Sequence, residues 1–460
     1  MKHLLIRESR AGAPCDTHTT VPLQPDDRPL EMQLIQLYPD VPRQTFDGFG
    51  GGFTPAAAQI YAQMSPALRR EFLQALLDPV QGLGYTWGRI SVAACDFSPG
   101  NYSYQDTPQS PFSLACDEPA VLPLLQDVQK ACPGFRWMAS TWSPPAWMKT
   151  NGQMCGGGAL RPECREDFAR YLTEFLGAYA RRGIPVRWLT IQNEPQAVQT
   201  WESCLYTARE EAEFLTGALR PALARAGLAD VRIAIWDHNK EGTFARARAI
   251  FSDPAARDAA DGIAFHWYSG DHFENLALCR EFFPEKELIF TEGSVELTGA
   301  DTVSARKAHA GGGDPTVPRD WLYAECYGHD LMGNLNHGMQ RWMDWNVLLD
   351  EQGGPNHVGN YCAAPLLFCG GGLRRLPIYT VISHFSRSIR PGARRIAHSR
   401  YTTDLDVTAW QNPDGSRVCI VLNTTDRDLP FFLKNMQDGL FAPLTAHAHS
   451  ILTLCEPGGD

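Results

Sequence analysis

Two glutamates stand out for their setting. Glu194 lies in Ile191-Gln192-Asn193-Glu194-Pro195 and Glu292 in Phe290-Thr291-Glu292-Gly293, each directly after a short apolar stretch. Cleavage of a glycosidic bond requires two such carboxyl groups: one protonates the leaving oxygen, and the other attacks the anomeric carbon or activates water. The neighbouring residue types suit a sugar. Trp142, Trp147, Trp267 and Trp345 sit at the ends of similar apolar stretches, where an aromatic face can cover the C–H face of a sugar ring. His266 ends another stretch as a hydrogen-bonding group for a rim. Asp47, beside Gly48, can bind a hydroxyl or hold a turn. Trp87, Trp137 and Trp188 fall within the stretches and read as packing residues.

A scaffold must bring the two glutamates together. Eight apolar segments rich in β-branched and aromatic residues predict strands at 45–50, 85–92, 136–141, 186–192, 231–236, 262–267, 287–291 and 339–346. Between them, stretches such as 164–182 and 208–226 repeat apolar residues at i, i+3, i+4 and i+7, as on helices packed by one face. Eight repeats with runs apolar on both faces predict an α/β fold, a (β/α)8 TIM barrel over 45–387. In that fold the chemistry sits on the loops after the strands, and strands four and seven carry Glu194 and Glu292 to facing sides of one mouth.

After about residue 388 the pattern changes to short alternating segments at 405–410, 416–423, 429–434 and 450–454, with Pro413-Asp414-Gly415 as a hairpin turn. These predict an appended antiparallel β-sandwich domain formed by both chain ends, 1–44 plus 388–460. The alternating segment 31–38 pairs with the C-terminal strands in this reading, and 308–314 is a flexible loop.

Composition narrows the function. The 460 residues are 44% hydrophobic and 20% charged, enough for a large core, with a net charge of −11. That charge repels nucleic acid and anionic membranes. No segment approaches the length of a membrane span, and the first thirty residues contain no signal-peptide core. Thirteen scattered cysteines without a C-x-x-C pair read as reduced thiols in a cytoplasmic protein. Phe53 breaks the dinucleotide pattern in Gly48–Gly52, and no phosphate-loop, zinc-protease or serine-hydrolase motif occurs. His238, His266, His329 and His337 are spread along the barrel, and the one H-x-H pair, His447 and His449, reads as a solvated strand face. No metal and no cofactor are expected. A different class, a non-catalytic carbohydrate-binding barrel, would keep the aromatics but lose the carboxylate pair.

The segments FDGFGGGFTPAA, ISVAACDFS, STWSPPAWMKTNG, IQNEPQ, FHWYSGD, FTEGS and MDWNVLLDEQGGPNHVGN, in this order, resemble the signature stretches of glycoside hydrolase family 30, that of the acid β-glucosidases or glucosylceramidases. The resemblance implies a barrel fused to a β-sandwich and a retaining glycosidase acting on terminal β-linked sugars of small glycosides or oligosaccharides. A β-glucosidase is the first expectation, with β-xylosidase or β-1,6-glucanase as alternatives. It also implies that Glu194 is the acid/base and Glu292 the nucleophile. Asp96, Trp142, Asn193 and Trp345 would line the sugar subsite, with Tyr268 and Asn360 near it. Asn356-His357-Val358-Gly359-Asn360 lacks the Trp and Arg of the lipid-cleaving relatives. With these roles, Glu194 should be protonated in the free enzyme and Glu292 ionised.

Overall fold

The computed structural model describes residues 2–13, 15–25, 33–298 and 317–458. The loop expected at 308–314 lies outside the described residues. Eight parallel strands close into a barrel: β1 (Gly48–Gly52), β2 (Trp87–Val92), β3 (Arg136–Thr141), β4 (Val186–Thr190), β5 (Arg232–Asn239), β6 (Gly262–His266), β7 (Glu287–Glu292) and β8 (Arg341–Asp344). Each matches an expected segment, but β1 starts three residues late. Asp47 therefore precedes its strand and lies at the closed end, bonded to Arg136 and Arg341, not at the mouth. The glycines of β1 serve close packing: a Cβ on Gly52 would lie 1.6 Å from the Trp345 carbonyl oxygen.

The expected outer helices are present. Arg165–Arg181 buries Phe168, Leu172, Phe175, Leu176 and Tyr179 along one face. The stretch 208–226 is not one regular helix. A capping box of Thr207 and Glu210 starts Ala208–Phe214, a π turn spans Leu215–Leu219, and α-helix resumes at Arg220. Pro221, which has no N–H and crowds the preceding turn, accounts for the wider winding. No helix among the described residues is long and apolar enough to cross a membrane.

The two chain ends form a ten-stranded sheet with its own apolar core around Ile35, Val407, Val421, Phe431 and Leu452. Leu34–Thr45 pairs antiparallel with Arg394–Arg400 and parallel with Leu429–Asn435, so one pairing departs from the antiparallel expectation. His3–Arg10 adds a strand beside Ser450–Glu456 that its mixed Leu-Ile-Arg-Glu texture did not announce. His447 and His449 are not on a strand face. They lie between Leu440–Ala446 and Ser450–Glu456, His447 paired with Glu8 and His449 buried between Glu325 of the barrel and Asp426.

Candidate active site

The mouth of the barrel holds a cavity of about 320 Å³ lined by Glu194 and Glu292 together with Asp96, Trp142, Asn193, Tyr268, Trp345 and Asn360. It is organised by Arg89, which projects inward from the middle of β2 and is wholly buried. Its guanidinium donates to Ser140 of β3, to Asn193 after β4 (2.7 Å), to Asp237 of β5 (3.0 Å) and to Glu292 of β7 (2.6 Å). One planar group thus fixes four strands. The guanidinium carbon also lies 4.7 Å from the ring centre of Trp142 and 5.4 Å from that of Trp345. Those two rings stack on each other at 5.1 Å.

Glu292 is held on both oxygens, Oε2 by Arg89 and Oε1 by the Tyr268 hydroxyl at 3.0 Å. Asn193 accepts from Arg89 through Oδ1, which leaves its Nδ2 as a donor for a ligand. Asp96 accepts from Asn360 through Oδ2, while its buried Oδ1 makes no hydrogen bond. Burial, Glu292 and Glu202 push the Asp96 carboxyl well above the usual carboxylate range. An acceptor left open in this way matches sugar hydroxyls.

Glu194 has a different environment. Its backbone takes a left-handed φ of 50°, clamped where its N–H donates to the Asp237 carbonyl. Asp237 itself has φ 53° and sits at an irregularity where β5 slips against β6. Such strained positions gather at functional sites. Glu194 Oε1 lies 3.4 Å from His266 Nδ1 and 3.5 Å from His238 Nδ1. Burial alone would raise the Glu194 carboxyl, but the two imidazoles outweigh it and hold the group below the usual carboxylate range. Burial opposes charge on His266, yet Glu292 and hydrogen bonds to Asp237 and Glu194 lift it to about 9. In the free protein the proton therefore rests on imidazole, contrary to the expectation of a protonated Glu194. Among the described residues, Glu194, His238 and His266 also form the one cluster of three metal-ligating side chains.

Three sequence expectations need correction here. His266 is fully buried beneath Glu194, not on a rim. Trp147 donates to the Gln105 carbonyl and packs against the barrel's outer core. Trp267 donates to the Ser294 carbonyl and meets Tyr327 edge-on, so neither ring is a sugar platform. Arg89 and the cavity residue Trp201 have no place in the sequence reading, and Asp237 and His238 stand there after the fifth strand without a role. Arg89 left a signal: it is a lone cation two residues from Trp87 in an otherwise apolar strand, so it had to point inward and find buried acids.

Comparison with known proteins places the fold in a family. Residues 46–389 match the glycosyl hydrolase family 30 TIM-barrel domain and 392–454 the β-sandwich domain of the same family. The chain is 30% identical over 440 residues to the lysosomal acid glucosylceramidase of Mus musculus, covering 91% of this chain and 82% of the relative. It is 26% identical to an endo-1,6-β-D-glucanase of Neurospora crassa, over 83% of this chain and 79% of that one. Among solved structures, SrfJ from Salmonella typhimurium superposes with a TM-score of 0.92 at 36% identity over the full length of both chains. An endo-β1,6-glucanase superposes with a TM-score of 0.84 at 26% identity, over 99% of this chain and 100% of that one. The chain belongs to glycoside hydrolase family 30.

Proposed function

We propose that this glycosidase is a retaining, exo-acting β-glucosidase in which Glu292 is the nucleophile and Glu194 the acid/base. The asymmetry of their partners carries the assignment. Glu292 is gripped by two fixed donors, Arg89 and Tyr268, which aim its oxygens as a nucleophile requires. Glu194 faces two imidazoles, groups that can hold a proton and return it. In the first step a Glu292 oxygen bonds to the anomeric carbon while the glycosidic C–O bond breaks. Glu194 takes the proton from His266 and passes it to the leaving oxygen, so that Glu194 is ionised and His266 neutral in the glycosyl-enzyme. In the second step Glu194 takes a proton from water as that water displaces Glu292, and returns it to His266. The Asn193 amide supplies a hydrogen bond to the 2-hydroxyl that strengthens as positive charge develops.

A cavity of about 320 Å³ stands at the small end of ligand pockets, which supports removal of single terminal sugars. β-Xylosidase and β-1,6-glucanase activities are the alternatives, and a panel of 4-nitrophenyl β-glycosides with gentiooligosaccharides separates them. Glu292→Gln should abolish turnover of every substrate. Glu194→Ala should slow glucosides with poor leaving groups by about 10²–10⁴ and activated aryl glucosides far less, with azide restoring turnover as the β-glucosyl azide. Equal responses of the two variants to leaving group and azide would reject these roles. The same proposal includes the division into a barrel at 45–387 and a sandwich from 1–44 plus 388–460. It also includes a cytoplasmic setting, supported by thirteen unpaired cysteines.

A further inference from the structure

We infer that the acid/base corner of the cavity is a binding site for a borderline divalent cation such as Zn²⁺, which would switch the enzyme off reversibly. The ligands are Glu194 Oε1, His238 Nδ1 and His266 Nδ1, contributed from the ends of three successive strands, β4, β5 and β6. Zinc bonds of about 2.0–2.1 Å at tetrahedral angles place ligand atoms about 3.3–3.4 Å apart. The two edges that meet at Glu194 are 3.4 and 3.5 Å. The third edge, between the two imidazoles, is within 4.8 Å. The buried His238 Nδ1 makes no hydrogen bond, so turning that ring toward a cation breaks none.

The next layer of contacts has the form found around protein-bound zinc. His266 Nε2 lies 3.1 Å from Asp237 Oδ1, so the carboxylate fixes the ring with Nε2 as its donor and turns Nδ1 toward Glu194. Asp237 is in turn held by Thr190, Thr291 and Arg89. Two imidazoles and one carboxylate with a fourth position open to the cavity is a donor set that favours zinc over magnesium or calcium. A cation there occupies the oxygen that must deliver the proton and stands where the leaving group departs. It would therefore compete with substrate.

The inhibition arm rests on the acid/base role of Glu194, but the binding arm does not. Full-length metal-free protein is titrated with Co²⁺ as a visible probe and then with Zn²⁺. One equivalent of Co²⁺ should give the intense visible absorption of a tetrahedral site, and Zn²⁺ should remove it. Zn²⁺ should inhibit hydrolysis of an aryl β-glucoside competitively, with full recovery on adding EDTA. His238→Asn should weaken Zn²⁺ binding by about 100-fold or more, beyond the 10–100-fold typical of losing an outer-layer partner. Glu194→Gln, nearly isosteric, should do the same and serves if His238→Asn fails to fold. No binding at millimolar Zn²⁺, or binding that neither substitution weakens, would overturn the site. Binding without inhibition would overturn the blocking role while leaving the site. Absence of turnover in the metal-free protein would count against the glycosidase proposal alone.

Discussion

The two ends of the barrel are built from the same parts and put to different uses. At the closed end Arg341, 2% exposed, stacks over Trp87 and Trp188 and donates to Asp47 and Glu287. At the mouth Arg89 packs against Trp142 and Trp345 and donates to Asp237 and Glu292. The difference lies in the balance of charge. Arg136, Arg220 and Arg232 join Arg341 at the closed end and Asp261 joins Asp47 and Glu287, so four guanidinium groups face three carboxylates and each of these acids is paired. At the mouth Asp96 and Glu194 join Asp237 and Glu292, answered among the described residues by Arg89, His238 and His266. A balanced plug contributes structure. An unbalanced cluster keeps acceptors open and protons mobile, which is what acid–base and nucleophilic chemistry uses.

The largest effect should come from exchanging the two arginines for methionine in turn. Each change leaves buried carboxylates without their partner, at a cost of about 3–5 kcal/mol of stability. Arg89→Met should also lower kcat by about 10²–10³, because Glu292 and Asn193 lose the donor that aims them. Arg341→Met should lower the melting temperature comparably and leave kcat of the folded enzyme near the wild-type value. Equal losses of kcat in the two variants would break the comparison.

Asp96→Asn should have a smaller effect, on the sugar contact alone. The amide oxygen would keep the Asn360 bond and turn an NH2 into the cavity where the open Oδ1 now stands, so kcat/KM for an aryl β-glucoside should fall about 10–100-fold. Melting temperature should change little. A variant with unchanged kcat/KM would remove Asp96 from the sugar subsite.

The fold was more legible than this chemistry. Eight apolar segments identified the barrel because its strands are covered on both faces, and Glu194 and Glu292 were readable because one follows such a strand closely and the other ends one. Arg89 and Asp237 were harder to see, since their importance comes from partners on other strands, each far away in the chain. His266 ends β6, but only the fold shows that it lies beneath Glu194. The misreading of Trp147 and Trp267 has the same cause: position at a strand end does not say which way a ring turns. His449 misled because H-x-H implies a strand, whereas its backbone takes a φ of 48°.

The smallest predicted effect concerns the seam between barrel and sandwich. Burial opposes charge on His329, but hydrogen bonds to Asp271 and Asp406 lift its pKa to about 9. A histidine raised in the folded state contributes stability that is fully present below about pH 6.5 and is lost as pH rises through about 9. The difference in melting temperature between wild type and His329→Gln should therefore shrink over that window. Catalytic constants measured at one pH should agree.

The central claim is that the unbalanced end performs a double displacement with Glu292 as nucleophile. Proton NMR during the first minutes of aryl β-glucoside hydrolysis, faster than mutarotation, tests it most directly. Double displacement at Glu292 releases the β-anomer first, with the α-anomer appearing only as mutarotation proceeds. Release of the α-anomer first would mean single displacement by water and would rule out Glu292 as a nucleophile.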